Sequence, residues 1–182
     1  MDQETFTRLA LAQQRQMYRI AVSYTASSAD AEDAMQEALL RAWHKRDTLR
    51  NPEYFGTWLN RILINECKTL LRKRKRRLTL PKLPPIAASP PDEEALALRQ
   101  ALFALPDKYR VPLVLNVLEG YTLQETAALL AIPLGTAKTR VARAKKQLEQ
   151  AIGQDPPYEA AAVPIRQPKP ARRCTEHAPR KP

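Results

Sequence analysis

Two cysteines, two histidines and four glycines in 182 residues leave little material for several kinds of chemistry. Cys67 and Cys174 supply no disulfide framework and suit a reducing compartment. With His44 and His177 alone, an acid–base enzyme has little to work with, and no paired carboxylates, nucleophile–base pair or glycine-rich phosphate loop stands out. Cys174-x-x-His177 is half of a zinc pattern with no second half. No apolar run approaches a membrane span, and the N-terminus, MDQETFTRLALAQQRQ, is acidic and then polar, unlike a secretory signal. These absences point to a cytoplasmic protein that is not an enzyme and uses no metal or cofactor.

What is plentiful is positive charge, and it is local. The chain carries a net +11, yet residues 1–66 hold eight Lys/Arg against nine Asp/Glu, whereas residues 67–91 hold eight against none. Residues 92–152 are nearly balanced, at eight against seven, and 153–182 carry six against three. A short cationic block suits a polyanion, and nucleic acid fits better than membrane because no long amphipathic anchor accompanies it.

Residues Tyr121 to Leu148, YTLQETAALLAIPLGTAKTRVARAKKQL, read as two helices and a tight turn. Thr122 and Glu125 form a capping box that starts the first helix at Leu123. Leu123, Ala127 and Leu130 repeat at helical spacing, and Ala127 is small enough for a second helix to cross close over it. The turn lies in Ala131–Gly135, where Pro133 cannot extend the first helix and Ile132 plugs the angle. In the second helix Ala137, Val141, Ala144 and Leu148 form one buried stripe, leaving Lys138, Arg140, Arg143, Lys145 and Lys146 outside it. This is the layout of a DNA-reading helix-turn-helix, although any amphipathic helix carries cations on its wet face.

Upstream, Phe6, Leu9, Ala10, Met17, Ile20, Ala21 and Tyr24 mark a first helix. Ser27 and Ser28 offer caps for a second, with Asp30, Glu32 and Asp33 in its first turn, where the helix dipole favours carboxylates. That helix buries Ala34, Ala38, Leu39 and Trp43, while Asp33, Gln36 and Glu37 occupy another face that, on composition alone, is an ordinary solvated one. Asn51-Pro52 opens a third helix ending in RKRKRR, Arg72 to Arg77. Its Tyr54, Phe55 and Trp58, followed by Arg61, Asn65 and Lys68, suit single-stranded nucleic acid, with bases stacked on rings and cations along phosphates. The same aromatics at this spacing also serve as core, and the residues alone leave both readings open.

LPKLPPIAASPP, residues 80–91, has five prolines and no helical period, as a linker does. A further helix runs through Leu96, Leu98, Leu102 and Phe103. Pro106 and Pro112 each read as first-turn residues, making LPDKYR a short turn and PLVLNVLE the next helix, closed by Gly120 as a left-handed cap. After Gly153, seven prolines in thirty residues predict disorder. The fold class is therefore all-α: two small helical domains joined by a proline-rich flexible linker, the second containing the helix-turn-helix. The boundaries are 1–77, the linker 78–91, 92–152, and a basic tail 153–182.

Three stretches in this order, YRIAVSYTASSADAEDAMQEALLRAW (18–43), YFGTWLNRILINECKTLLRKRKR (54–76) and LPDKYRVPLVLNVLEGYTLQETAALLAIPLGTAKTRVARAKKQL (105–148), resemble the extracytoplasmic-function (ECF) sigma factors of bacterial RNA polymerase. The resemblance implies a promoter-specificity subunit for stress or envelope-response genes. It implies that Asp33, Gln36, Glu37 and Arg41 dock on the clamp helices of the largest polymerase subunit. It assigns minus-ten recognition and strand capture to Tyr54, Phe55, Trp58, Asn60, Arg61, Asn65 and Lys68, some of them buried. It assigns the minus-thirty-five element to Thr136, Lys138, Thr139, Arg140, Arg143, Lys145 and Lys146. The implied partners are polymerase core (clamp helices and the flap of the second-largest subunit), promoter DNA, and an anti-sigma protein, soluble or membrane-bound. The chain itself would not insert in a membrane and would be a monomer when free. Two features depart from the family pattern: Ala131 stands where glycine is common in the turn, and Gly56 stands where a larger polar residue is frequent. Two rival functions are a stand-alone helix-turn-helix regulator, which leaves residues 1–75 without a task, and a metal-dependent nucleic-acid enzyme built on Asp30, Glu32, Asp33 and Glu37.

Overall fold

A computed structural model describes residues 1–75 and 93–152, and the described residues are helices and short connections with no strand. The expected linker and tail lie outside them. The N-terminal half consists of α1 (Gln3–Thr25), α2 (Ser28–Lys45) and α3 (Phe55–Lys75). Each start has a local cause. The Asp2 side chain accepts from Thr5 N at 2.8 Å, and Ser27 Oγ accepts from Asp30 N at 3.3 Å. Asn51 Oδ1 accepts from Glu53 N at 2.9 Å, but what it caps is a 3-10 turn, Pro52–Tyr54, so α3 proper begins only at Phe55. Between α1 and α2 the chain reverses through Ala26, which takes a left-handed conformation at φ 50°.

The apolar spacing of α2 decides how closely the three helices approach. Ala31, Ala34, Ala38 and Ala42 are all buried, and side chains this small hold helix axes toward the near end of the roughly 8–10 Å range. Into the space between helices go Met17, Ile20, Leu59, Leu63 and Ile64, each fully buried and contributing about 1.5–3 kcal/mol from lost apolar exposure. Phe6 meets Trp43 and Phe55 edge to face, at 5.2 and 5.5 Å between ring centroids. Leu39 and Trp43, expected inside, are half-buried at the rim, where the Arg46 guanidinium covers the Trp43 ring at 4.1 Å.

The C-terminal half holds α4 (Glu93–Ala104), α5 (Asp107–Leu113, continuing as a π-helical turn Val114–Leu118), α6 (Leu123–Leu130) and α7 (Leu134–Ile152). Pro112 lies inside α5, not at its start. Pro106 is the N-cap residue, and its carbonyl accepts from both Tyr109 N and Arg110 N at 2.9 Å, so the helix is under way before Pro112 is reached. Pro112 removes one backbone donor and crowds the preceding turn, and the chain relaxes into the wider turn, where Glu119 N reaches Val114 O at 3.0 Å. Gly120 then closes the element at φ 73°, as expected. In α4, Leu98 is exposed, whereas Ala101 is buried and Leu102, with Leu105 just beyond the helix end, packs against the neighbouring helices.

The two halves are not packed separately. Val111 and Leu115 of α5 and Leu129 and Leu130 of α6 belong to the same apolar cluster as α1, α2 and α3. A smaller cluster of Leu105, Leu113, Val141 and Ala144 ties α7 to α4 and α5.

Candidate polymerase and nucleic-acid interface

Three surfaces carry the sequence-predicted residues. On α2 the buried alanine stripe leaves Asp33, Gln36, Glu37 and Arg41 exposed on the outer side. Arg41 is not a loose cation: its Nε donates to Glu37 Oε1 at 3.0 Å, and its second nitrogen lies 3.0 Å from Glu66 Oε1 on α3. Glu66 is buried, so Arg41 supplies the positive charge that makes that carboxylate tolerable. The sequence reading missed Glu66, and nothing local distinguishes it from a surface glutamate.

The start of α3 divides its candidates sharply. Tyr54, Arg61 and Asn65 are exposed, and Trp58 is half-buried against Phe55 at 5.9 Å. Phe55, by contrast, is 1% exposed, and its ring is spent on the core with Phe6. In this conformation it offers no face to a base. Asn60 is 0% exposed: its Nδ2 donates to Gln16 Oε1 at 3.1 Å and to the Tyr121 hydroxyl at 2.8 Å. Lys68 is half-buried, and its Nζ donates to Leu130 O at 3.0 Å, capping the C-terminal end of α6 where helix carbonyls lack partners. Burial pushes the Lys68 ammonium below the usual lysine value. Gly56 has a structural use, since a Cβ there would meet the Gln13 side chain at 3.2 Å.

The helix-turn-helix follows the sequence closely. Thr122 N donates to Glu125 Oε2 at 2.8 Å and Glu125 N to Thr122 Oγ1 at 3.2 Å, a reciprocal capping box. Ala131 takes the left-handed conformation, φ 54°, and Ile132 N returns to Ala127 O at 3.0 Å, so alanine adopts the backbone a glycine adopts at no steric cost. On α7, Ala137, Val141 and Ala144 are buried and Leu148 is half-buried, as its spacing predicts. Lys138, Thr139, Arg143, Lys145 and Lys146 are exposed along the outer side, with Thr136 half-buried. The Arg143 guanidinium beside Tyr109 draws that phenol below its ordinary value. Arg140 stands apart: half-buried, it lines a cavity between the two halves instead of the outer surface.

Residues 9–77 match the Sigma-70 region 2 family and residues 95–148 match Sigma-70, region 4. The ECF RNA polymerase sigma factor SigM of Mycobacterium tuberculosis is 34% identical over 155 residues, covering 84% of this chain and 79% of SigM. The chain belongs to the ECF sigma factors of RNA polymerase. The ECF sigma-E factor of Escherichia coli is 30% identical over 169 residues, covering 83% of this chain and 88% of that protein. Among solved structures, the Bartonella quintana sigma factor RpoE in complex with the anti-sigma factor NepR is similar with a TM-score of 0.74 and 26% identity, over 83% of this chain and 98% of that one. CnrH in complex with the cytosolic domain of CnrY is similar with a TM-score of 0.62 and 25% identity, over 85% and 92%. In this sigma factor the region 2 match therefore spans α1 to α3, and the region 4 match spans α4 to α7.

Family membership answers the rival reading as a stand-alone regulator. Residues 9–75, idle in a stand-alone regulator, belong to the region 2 match. The acidic group of the nuclease reading is divided by α2: Glu32, Asp33 and Glu37 are exposed, whereas Asp30 pairs with Arg74 of α3. No group of three or more metal-binding side chains occurs among the described residues.

Proposed function

We propose that this sigma factor, without catalytic activity of its own, docks on polymerase core through the outer side of α2, with Asp33, Gln36 and Glu37 against the clamp helices of the largest subunit. Arg41 supports that surface from its pairs with Glu37 and Glu66. The observation carrying this reading is the division of α2 into a buried alanine stripe and an exposed acidic and amide face. A polar face that the described fold leaves exposed is available to an external partner.

The minus-ten strand is read by Tyr54, Trp58, Arg61 and Asn65, with Asn60 and Lys68 joining once the second half moves away. Stacking on aromatic side chains contributes about 1–3 kcal/mol per base, enough to hold an unpaired strand open. Lys138, Thr139 and Arg143, with Thr136, face the base edges of the minus-thirty-five element, and Lys145 and Lys146 neutralise phosphates. Arg140 contributes there only after the halves separate. The domains divide at 77 and 92, with the intervening segment running toward the polymerase active-site channel and the C-terminal half meeting the flap. The protein acts in the cytoplasm at stress or envelope-response promoters under an anti-sigma protein, a reading supported by the complex in which the RpoE relative was solved. No described helix is long and apolar enough to cross a membrane.

The test is co-elution of the purified protein with bacterial core polymerase on size exclusion, then run-off transcription from a promoter library. Co-elution with selective initiation is expected. Tight duplex binding without association with core would instead identify a free-standing regulator.

A further inference from the structure

One group of cations gathers around a concave space without counter-charges of its own. A cavity of about 600 Å³ lies between α3 on one side and α5 and α7 on the other, within the roughly 300–1,000 Å³ range of small-molecule sites. Lys68 and Arg72 line it from α3, Lys108 from the first turn of α5 and Arg140 from α7. Among the described residues, none of these four takes part in an ion pair. Lys68 spends its ammonium on the Leu130 carbonyl, Arg72 donates to the Thr69 hydroxyl at 3.1 Å, and the Lys108 ammonium lies 4.8 Å from the centre of the Tyr109 ring. Asp107 is the one lining carboxylate among the described residues, and its Oδ1 accepts from Lys108 N at 2.8 Å.

Four positive charges against one negative leave a surplus of three around this space. Like charges gathered at one place repel, and a concave wall of one sign concentrates ions of the other. Burial already pushes the Lys68 ammonium below the usual lysine value, so an anion beside it would restore interactions that desolvation removed. The guanidinium groups of Arg72 and Arg140 match phosphate oxygens, which such a planar fork can meet two at a time. A single small anion would leave most of the surplus uncovered. A chain of phosphates carries several charges and is long enough to meet cations on both walls. Val111, Leu130 and Ile132 add an apolar portion to the lining.

We propose that this cavity is a binding site for a small oligophosphate, either inorganic or the phosphate chain of a nucleotide, held by Lys68 and Arg72 on one wall and Lys108 and Arg140 on the other. The apolar portion favours the nucleotide form, which has a base to set against it. While bound, the anion withholds Lys68 and Arg140 from DNA. That consequence rests on their proposed promoter roles, whereas the site itself stands without them.

The experiment is isothermal titration calorimetry on the full chain, without DNA, polymerase or magnesium, using sodium tripolyphosphate and ATP in separate titrations. About 0.15 M salt screens diffuse attraction to the exposed surface. Arg72→Gln combined with Lys108→Gln removes one exposed cation from each wall, neither of them assigned to the promoter. Arg8→Gln combined with Arg15→Gln removes the same charge from the exposed surface of α1, outside the cavity. The site predicts one anion per chain, bound at least about tenfold more weakly by the cavity pair and within about twofold of wild type by the α1 pair. Arg140→Gln alone should weaken binding as well, which tests the site independently of the pair. Tighter binding of ATP than of tripolyphosphate would identify a nucleotide site, and equal affinity a site for the phosphate chain alone. Absence of saturable binding, more than one anion per chain, or equal weakening by the cavity and α1 pairs would overturn the proposal. Failure to co-elute with core polymerase would count against the docking assignment and leave the calorimetry untouched.

Discussion

Arg110 offers the sharpest test of how this chain is held together. It is a buried cation, 6% exposed, with no carboxylate among the described residues at salt-bridge distance; its guanidinium donates instead to Ser23 O at 2.7 Å, Leu105 O at 2.7 Å and Phe103 O at 3.1 Å. These carbonyls lie at or just beyond the C-terminal ends of α1 and α4, where helix carbonyls lack intrahelical partners and the macrodipole is negative, so one side chain closes two helix ends. Arg110→Met keeps much of the apolar stem but leaves three carbonyls without their donor. Each buried unsatisfied group costs about 1–3 kcal/mol, partly offset because the guanidinium no longer has to be desolvated. The net loss expected is about 3–5 kcal/mol. With a urea slope of roughly 2 kcal/mol/M, the midpoint should fall by about 2 M. Arg110→Lys should lose about half as much, since an ammonium keeps the charge but not the planar fork that reaches three acceptors. A midpoint for Arg110→Met within about 0.5 M of wild type, at unchanged slope, would refute the reasoning and show that water replaces the guanidinium at no cost.

Three further outcomes are expected. Ala131→Gly should relieve about 1–2 kcal/mol of left-handed strain against about 0.4–1 kcal/mol of added unfolded-state entropy, raising Tm by a few degrees in a thermal scan; a lower Tm would show that the alanine methyl makes a contact worth more than the strain. Burial pushes the Cys67 thiol from 9.0 up to about 12, so its stabilising contribution is complete below about pH 9 and is lost as pH rises toward 12. At about 1.4 kcal/mol per unit, roughly 2 kcal/mol should disappear by about pH 10.5 in urea titrations of the wild type but not of Cys67→Ala, and identical slopes would sink the assignment. Glu37→Lys should abolish co-elution with core polymerase while leaving the circular dichroism spectrum unchanged, since Glu37 is exposed and its one described ion pair, with Arg41, is a surface pair of small energetic weight; retained co-elution would remove α2 as the docking face.

How much of this was legible beforehand follows from the range of each interaction. Ser27 and Asn51 cap because a side-chain oxygen reaches a backbone amide two or three residues on, and that spacing is written in the sequence. The stripes of α1, α2 and α7, the reciprocal pair Thr122–Glu125, the cap at Gly120 and the cationic side of α7 are likewise products of helical period and short-range chemistry. Those local patterns were enough to carry the family resemblance. Tertiary structure alone decided which apolar face meets which. Periodicity marked Leu130 as buried but not that Lys68, 62 residues earlier, would cap its carbonyl. Asn60 and Glu66 look like surface residues until Tyr121 and Arg41 are brought beside them. Pro112 looked like a helix start because a start is its cheapest position, yet burial of α5 between the halves and a wider following turn made an interior proline tolerable. Helical spacing encodes the side of a helix that must be covered. The partner that covers it depends on contacts between residues far apart in the chain, and here those contacts join the two halves across the α3 surface proposed to take the promoter strand.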